Sequence, residues 1–215
     1  MNMTVLHDLT FYTMYAALAL TIMVAVERMI FYGYTLRHAR LLESSLTVDI
    51  LAAPALPEAI AGRDSVPAET LRQMLGERHR LRNRDDVEDL SGAIYIAMKA
   101  KLQSHLWMLD TIVTAAPLLG LLGTILGIID TFVSLAQSGI SDPQGVSAGI
   151  GTALYATALG ISIALVGLVF LNHFRDRVER ISDHLKILLM RAAMGVGERS
   201  VAPVPHLSIA SVAKS

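Results

Sequence analysis

Between Asp110 and Asp130 the chain runs nineteen residues without a charged side chain, TIVTAAPLLGLLGTILGII, and from Gly149 to Asn172 it runs twenty-four more, GIGTALYATALGISIALVGLVFLN. A helix rising 1.5 Å per residue needs about 20 mostly apolar residues to cross a bilayer, so both segments are long enough. Neither is filled with Leu and Phe; both are studded with Gly, Ala and Thr, and the first contains Pro117. Small residues let helices approach closely in lipid, so this composition predicts a packed multi-helix assembly rather than a plain anchor.

A third, weaker span is expected from about Leu9 to Ile30, with Glu27 and Arg28 near its end. The pair would sit at the membrane surface, where an Arg can snorkel, and Phe31, Tyr32 and Tyr34 beyond it fit an aromatic belt. Residues 1 to 10 hold Asp8 and no Lys or Arg, so a cleavable leader is not expected and the span should stay in the mature protein. Basic residues set the orientation. Arg28, Arg37 and Arg40 follow the first span, Lys99 and Lys101 precede the second, and Arg175, Arg177 and Arg180 follow the third, whereas the N-terminus and Gln137 to Ala148 have none. The positive-inside rule then places the N-terminus and the short hairpin outside, and the long loop and the C-terminus in the cytoplasm.

Hydrophobic residues make up 53% of the chain and the formal net charge is −1, which excludes the concentrated basic patch of a nucleic-acid binder. There is no cysteine for disulfides, thiolate metal sites or thiol catalysis, and the seven histidines show no metal-ligand spacing. With no nucleophile and base pair and no phosphate loop, neither an enzyme nor a bound cofactor or metal is expected, and no residue is assigned as catalytic.

The expected architecture is an all-α integral membrane protein with three transmembrane helices, the second and third extended into the cytoplasm as long helices. In numbers, 1–8 is a periplasmic N-terminus, 9–30 the first span, 31–106 a cytoplasmic helical loop and 107–136 the second span. Residues 137–148 form a periplasmic hairpin, 149–172 the third span, 173–194 a cytoplasmic amphipathic helix and 195–215 a disordered tail. Within the loop, residues 46 to 70 carry Pro54, Pro57, Pro67 and Gly62 and read as a broken connection, while residues 77 to 89 are almost all charged and fit either an exposed helix or a loop. Ile94, Met98, Leu102 and Leu106 step by four and lead straight into the second span. Phe174, Val178, Ile181, Leu185, Leu188 and Ala192 step by 4, 3, 4, 3, 4, a coiled-coil-like seam.

On the second span Pro117, Gly120, Thr124, Gly127 and Thr131 share one face. On the third, Gly149, Ala153, Ala156, Gly160, Ala164 and Gly167 form a similar stripe flanked by Thr152 and Thr157. Pro117, Gly120, Gly127, Ala153 and Gly160 are the expected packing residues. The hydroxyls either serve packing alone, since a Thr can bond the carbonyl one turn back, or line a seam for water or an ion. Glu27, Arg28, Asp110 and Asp130 are expected as boundary charges.

AAPLLGLLGTILGIIDTF at residues 115–132, followed by a short loop and GIGTALYATALGISIAL at 149–165, resembles the paired signature of the ExbB/TolQ branch of the MotA/TolQ/ExbB proton-channel family. The resemblance implies an inner-membrane, multi-pass stator: five copies of the subunit around two helices of an ExbD/TolR-like partner, with proton flow passed on as work to a TonB/TolA-like protein. H⁺ is the implied ion, with Na⁺ left open. Thr124 and Thr157 fall where the family places pore-lining hydroxyls. Thr152 stands where ExbB and TolQ relatives carry a glutamate, so the implied ion pathway is Thr124, Thr152 and Thr157 without a carboxylate of its own. The alternative is a scaffold that keeps the fold without conducting.

Overall fold

The computed structural model describes residues 3–46, 64–77, 84–138 and 143–200, and these form five helices with no strand among them. They are α1 (Met3–Ser45), α2 (Val66–Glu77), α3 (Arg84–Gln103), α4 (Leu106–Ser138) and α5 (Pro143–Ser200). Three are long and apolar enough to cross a membrane: α1, α4 and α5. In each, only 28% to 33% of the most apolar stretch is buried within the chain, which leaves a lipid-compatible surface of Leu, Ile and Val.

The termini follow local chemistry. Ser65 caps α2, its hydroxyl accepting from the Ala68 amide at 3.4 Å, and Pro67 sits in the first turn, where its missing N–H is no loss. α3 carries Asp85 and Asp86 in its first turn and Lys101 in its last, matching the helix dipole. α5 opens on Pro143 with its preset φ.

Several boundaries differ from the sequence expectation. α1 does not stop at residue 30 but continues to Ser45. The apolar period before the second span does not lead straight into it: Ser104 and His105 form a turn between α3 and α4, and His105 has φ 70°. α2 turns the last five residues of the expected broken connection, 66–70, into helix; residues 47–63 lie outside the described residues, as do 78–83 of the charged stretch. α4 and α5 leave only 139–142 of the expected hairpin between them, and those four are outside the described residues. The seam from Phe174 to Ala192 continues α5, as the expected extension of the third helix requires, but α5 runs on to Ser200 into the first residues of the expected tail; the rest of that tail, 201–215, is outside the described residues.

The chain divides into two compact units. The first, residues 1–33 and 102–179, centres on Met14 of α1, Ile112 and Ala116 of α4 and Ile163 of α5, with Leu18, Leu119 and Leu159 against them. The second, residues 34–101 and 180–215, buries Leu36, Ala39 and Leu42 of α1, Leu71, Met74 and Leu75 of α2, Ile94 and Met98 of α3, and Ile181, Leu185 and Leu188 of α5. Within the second unit Arg191 of α5 holds the end of α1, donating to the carbonyls of Glu43 at 2.5 Å and Leu46 at 3.3 Å.

Candidate functional site

In the first unit α4 and α5 cross where neither helix has a side chain. A Cβ added at Gly120 would lie 2.9 Å from the Ala156 carbonyl oxygen, 3.1 Å from Thr157 Cα and 3.3 Å from Gly160 Cα. One added at Gly160 would lie 2.5 Å from the Ala116 carbonyl oxygen and 3.0 Å from Gly120 Cα. Backbone touches backbone, and only Gly permits that approach. The contact continues along both helices, with Gly123 against Ala156, Gly149 against Thr131 and Gly167 against Val113. The small-residue faces of α4 and α5 therefore meet within one chain.

The close crossing brings Thr124 of α4 and Thr157 of α5 hydroxyl to hydroxyl. The Thr157 hydroxyl also reaches the Gly120 carbonyl at 3.1 Å, and the Thr124 hydroxyl reaches the carbonyls of Gly120 and Ala153, each at 3.1 Å. Each hydroxyl has one proton, so these contacts cannot all be donated at once. In one arrangement Thr124 donates to Thr157, which donates to Gly120; in the other Thr157 donates to Thr124, which donates to Ala153. The pair can reverse its hydrogen bonds without moving a heavy atom.

The other expected residues fall elsewhere. Thr152 is exposed and donates to the Ala148 carbonyl at 3.0 Å, so it does not join the Thr124 and Thr157 pair. Gly127 is buried and its carbonyl accepts from Thr131 at 2.7 Å; Ala153 is fully buried. Pro117 lies inside α4 and, lacking an N–H, cannot donate to the Val113 carbonyl one turn back. Asp110 pairs with Arg175 at 2.9 Å, and Asp130 is half-buried with no ion pair to a described residue.

Arg28 corrects the snorkelling expectation. It is 5% exposed, held by Glu27 at 2.7 and 3.0 Å and within 2.9 Å of His105 Nδ1, because partners inside the chain satisfy a charge that would otherwise have to reach water. Sequence reasoning missed Gly123 and His105. The first carries a signal, an extra Gly three residues from Gly120 in an apolar run, while a histidine in a left-handed turn carries almost none.

Residues 63–187, more than half of the chain, match the MotA/TolQ/ExbB proton channel family. The biopolymer transport protein exbB1 of Vibrio cholerae is 31% identical over 177 residues, which covers 77% of this chain and 76% of that protein. An ExbB homolog of Methanothermobacter thermautotrophicus is 33% identical over 107 residues, 50% of this chain and 38% of its own length. ExbB of Helicobacter pylori is 35% identical over 92 residues, 43% of this chain and 63% of its own length. The match thus spans well under two thirds of some of these relatives.

Proposed function

We infer the function from one premise: the chain belongs to the MotA/TolQ/ExbB proton channel family, on its ExbB/TolQ branch. It is a membrane protein of a transport family, not of an enzyme family. We propose that it is the stator subunit of an ion-driven motor in the bacterial inner membrane. Five copies surround two helices of a single-span ExbD/TolR-like partner, and H⁺ falling through the assembly drives work on a TonB/TolA-like protein. Each charge crossing 100 mV releases about 2.3 kcal/mol.

The observation that carries this reading is the Thr124 and Thr157 pair, two reversible hydroxyls at a close helix crossing in an otherwise apolar region. An ion crossing a low-dielectric core also needs a group that binds and releases charge. The expected ion pathway of this chain offers hydroxyls only, so the titrating acid comes from the partner helix. Accordingly, the purified subunit in liposomes does not conduct, co-assembly with the partner switches flux on, and neutralising the partner's membrane carboxylate switches it off. Strong flux through the subunit alone would refute this division of labour.

The proposed orientation puts Asp64 in the cytoplasm and Ser141 outside. Because the chain has no cysteine, Asp64→Cys and Ser141→Cys can each be labelled by an impermeant maleimide on spheroplasts, and equal labelling rejects the topology. A non-conducting scaffold is the second reading, favoured by Thr152 lying exposed and apart from the hydroxyl pair.

A further inference from the structure

Along one line of α1 the exposed surface changes from apolar to basic. Ile22, Val26 and Met29, each about half exposed, step by 4 and 3, and the same line continues through Gly33, Arg37 and Arg40, all exposed. Steps of 3 and 4 keep these six residues on one side of the helix. The apolar part faces lipid and reaches its limit near Tyr34, whose half-exposed ring marks the membrane surface. Arg37 lies three residues further, about 4.5 Å along the axis, with Arg40 one turn beyond it. Helical side chains lean toward the N-terminus of their helix, here back toward the membrane, which carries both guanidinium groups toward the headgroup level. The turn that Arg37 leans over holds Gly33, where an added Cβ would have nothing within 4 Å of it. An open notch thus separates Met29 from the two cations.

Other basic residues flanking the spans are committed within the chain: Arg28 holds Glu27, Lys101 holds Glu69 and Arg175 holds Asp110. Arg37 and Arg40 hold no carboxylate among the described residues, and Glu43, three positions from Arg40, is taken by His184 and Arg191. Two cations one turn apart call for an anion from outside the chain, and the guanidinium fork matches the oxygens of a phosphate. We propose that Gly33, Arg37 and Arg40 form a binding site for an anionic phospholipid. Its phosphodiester lies between the two guanidinium groups, its glycerol in the notch at Gly33 and an acyl chain along Met29, Val26 and Ile22. A zwitterionic lipid brings its own ammonium beside the phosphate and satisfies two arginines less well. A free phosphate has nothing to lay on the apolar stripe. The site rests on α1 crossing the membrane and not on conduction.

The full chain in phosphatidylcholine nanodiscs tests the site, with a trace of phosphatidylglycerol or phosphatidylcholine carrying the same photoactivatable acyl chain. Photolysis should label residues 22–40 more strongly with phosphatidylglycerol. That excess should fall about fivefold in Arg37→Gln and about as much again when Arg40→Gln is added, the worth of each basic residue near an anionic surface. Arg175→Gln removes the same charge from a residue already engaged by Asp110 and should leave the excess as it was. Gly33→Leu fills the notch without meeting another atom of the chain, so it should lower the labelling with every charge kept. Equal labelling by the two lipids overturns the proposal. So does a loss in Arg175→Gln that matches Arg37→Gln, since the lipid would then sense net charge and not a site. Competition by millimolar inorganic phosphate would assign the arginines to a free anion and reject the lipid. Separation of copies by Gly33→Leu in native mass spectrometry would show that a second copy covers this face, and would reject it too.

Discussion

The hydroxyl of Thr124 on α4 meets the hydroxyl of Thr157 on α5, and both reach the same Gly120 carbonyl. Thr→Val keeps the branched shape and removes the proton, which separates packing from conduction. Hydrogen bonds between membrane helices contribute about 0.6 kcal/mol on average, so Thr124→Val and Thr157→Val should assemble normally. Proton flux in vesicles containing the partner should nevertheless fall about tenfold or more, because a reversible chain needs both members. Wild-type flux in both variants would leave the hydroxyls with packing alone.

The glycine crossing gives a prediction about stability. Gly160→Ala drives a methyl into backbone atoms at 2.5 to 3.1 Å that cannot swing aside. Overpacking of this kind costs roughly 1–3 kcal/mol. Gly151 lies on the same helix with nothing within 4 Å, so Gly151→Ala should leave stability unchanged or slightly raised. Thermal unfolding in detergent checks the pair, and equal midpoints would mean that the crossing is looser than described.

The spans were legible because a run of nineteen or more uncharged residues has few alternatives, and the Thr positions were legible because each lies on a small-residue face of its own helix. Their partnership was not. Periodicity assigns a face but not the register of two antiparallel helices, and it is the contact of Gly120 with Gly160 that sets Thr124 opposite Thr157 rather than Thr152. The break at His105 was hidden because the apolar step of four from Ile94 to Leu106 continues straight through it. Arg28 read as a surface charge because its partner lies 77 residues away along the chain.

Arg191 closes the end of α1 in the second unit by donating to the Glu43 and Leu46 carbonyls. Its other guanidinium nitrogen lies 3.8 Å from the Glu43 carboxylate, which also contacts His184. The last carbonyls of a helix have no partner of their own, so Arg191→Ala strips that of Glu43 and, with it, the carbonyl of Leu46 just beyond the helix. The expected loss is about 1–2 kcal/mol, most of it from the hydrogen bonds, since the ion pair is partly solvated. Amide exchange over residues 40–46 should accelerate while that of 112–124 stays as it was. Uniform acceleration would show that Arg191 supports the whole chain and not this terminus.

The last prediction concerns the missing carboxylate. Thr152 is exposed on its own chain and bonds only the Ala148 carbonyl one turn back, so Thr152→Glu removes no contact between helices and should leave the fold intact. A carboxylate in an apolar span is costly unless it is paired or takes up a proton, and that same ability to exchange a proton is what an ion path requires. If Thr152 faces the path in the assembled protein, Thr152→Glu should make the subunit leak protons in liposomes without the partner, where the wild type is tight. Flux of the complex should rise as well, with the leak falling as pH drops and the new acid stays protonated. A variant that assembles, stays tight alone and leaves the flux of the complex unchanged would place Thr152 on the lipid or packing side. The ion pathway of this subunit would then reduce to Thr124 and Thr157.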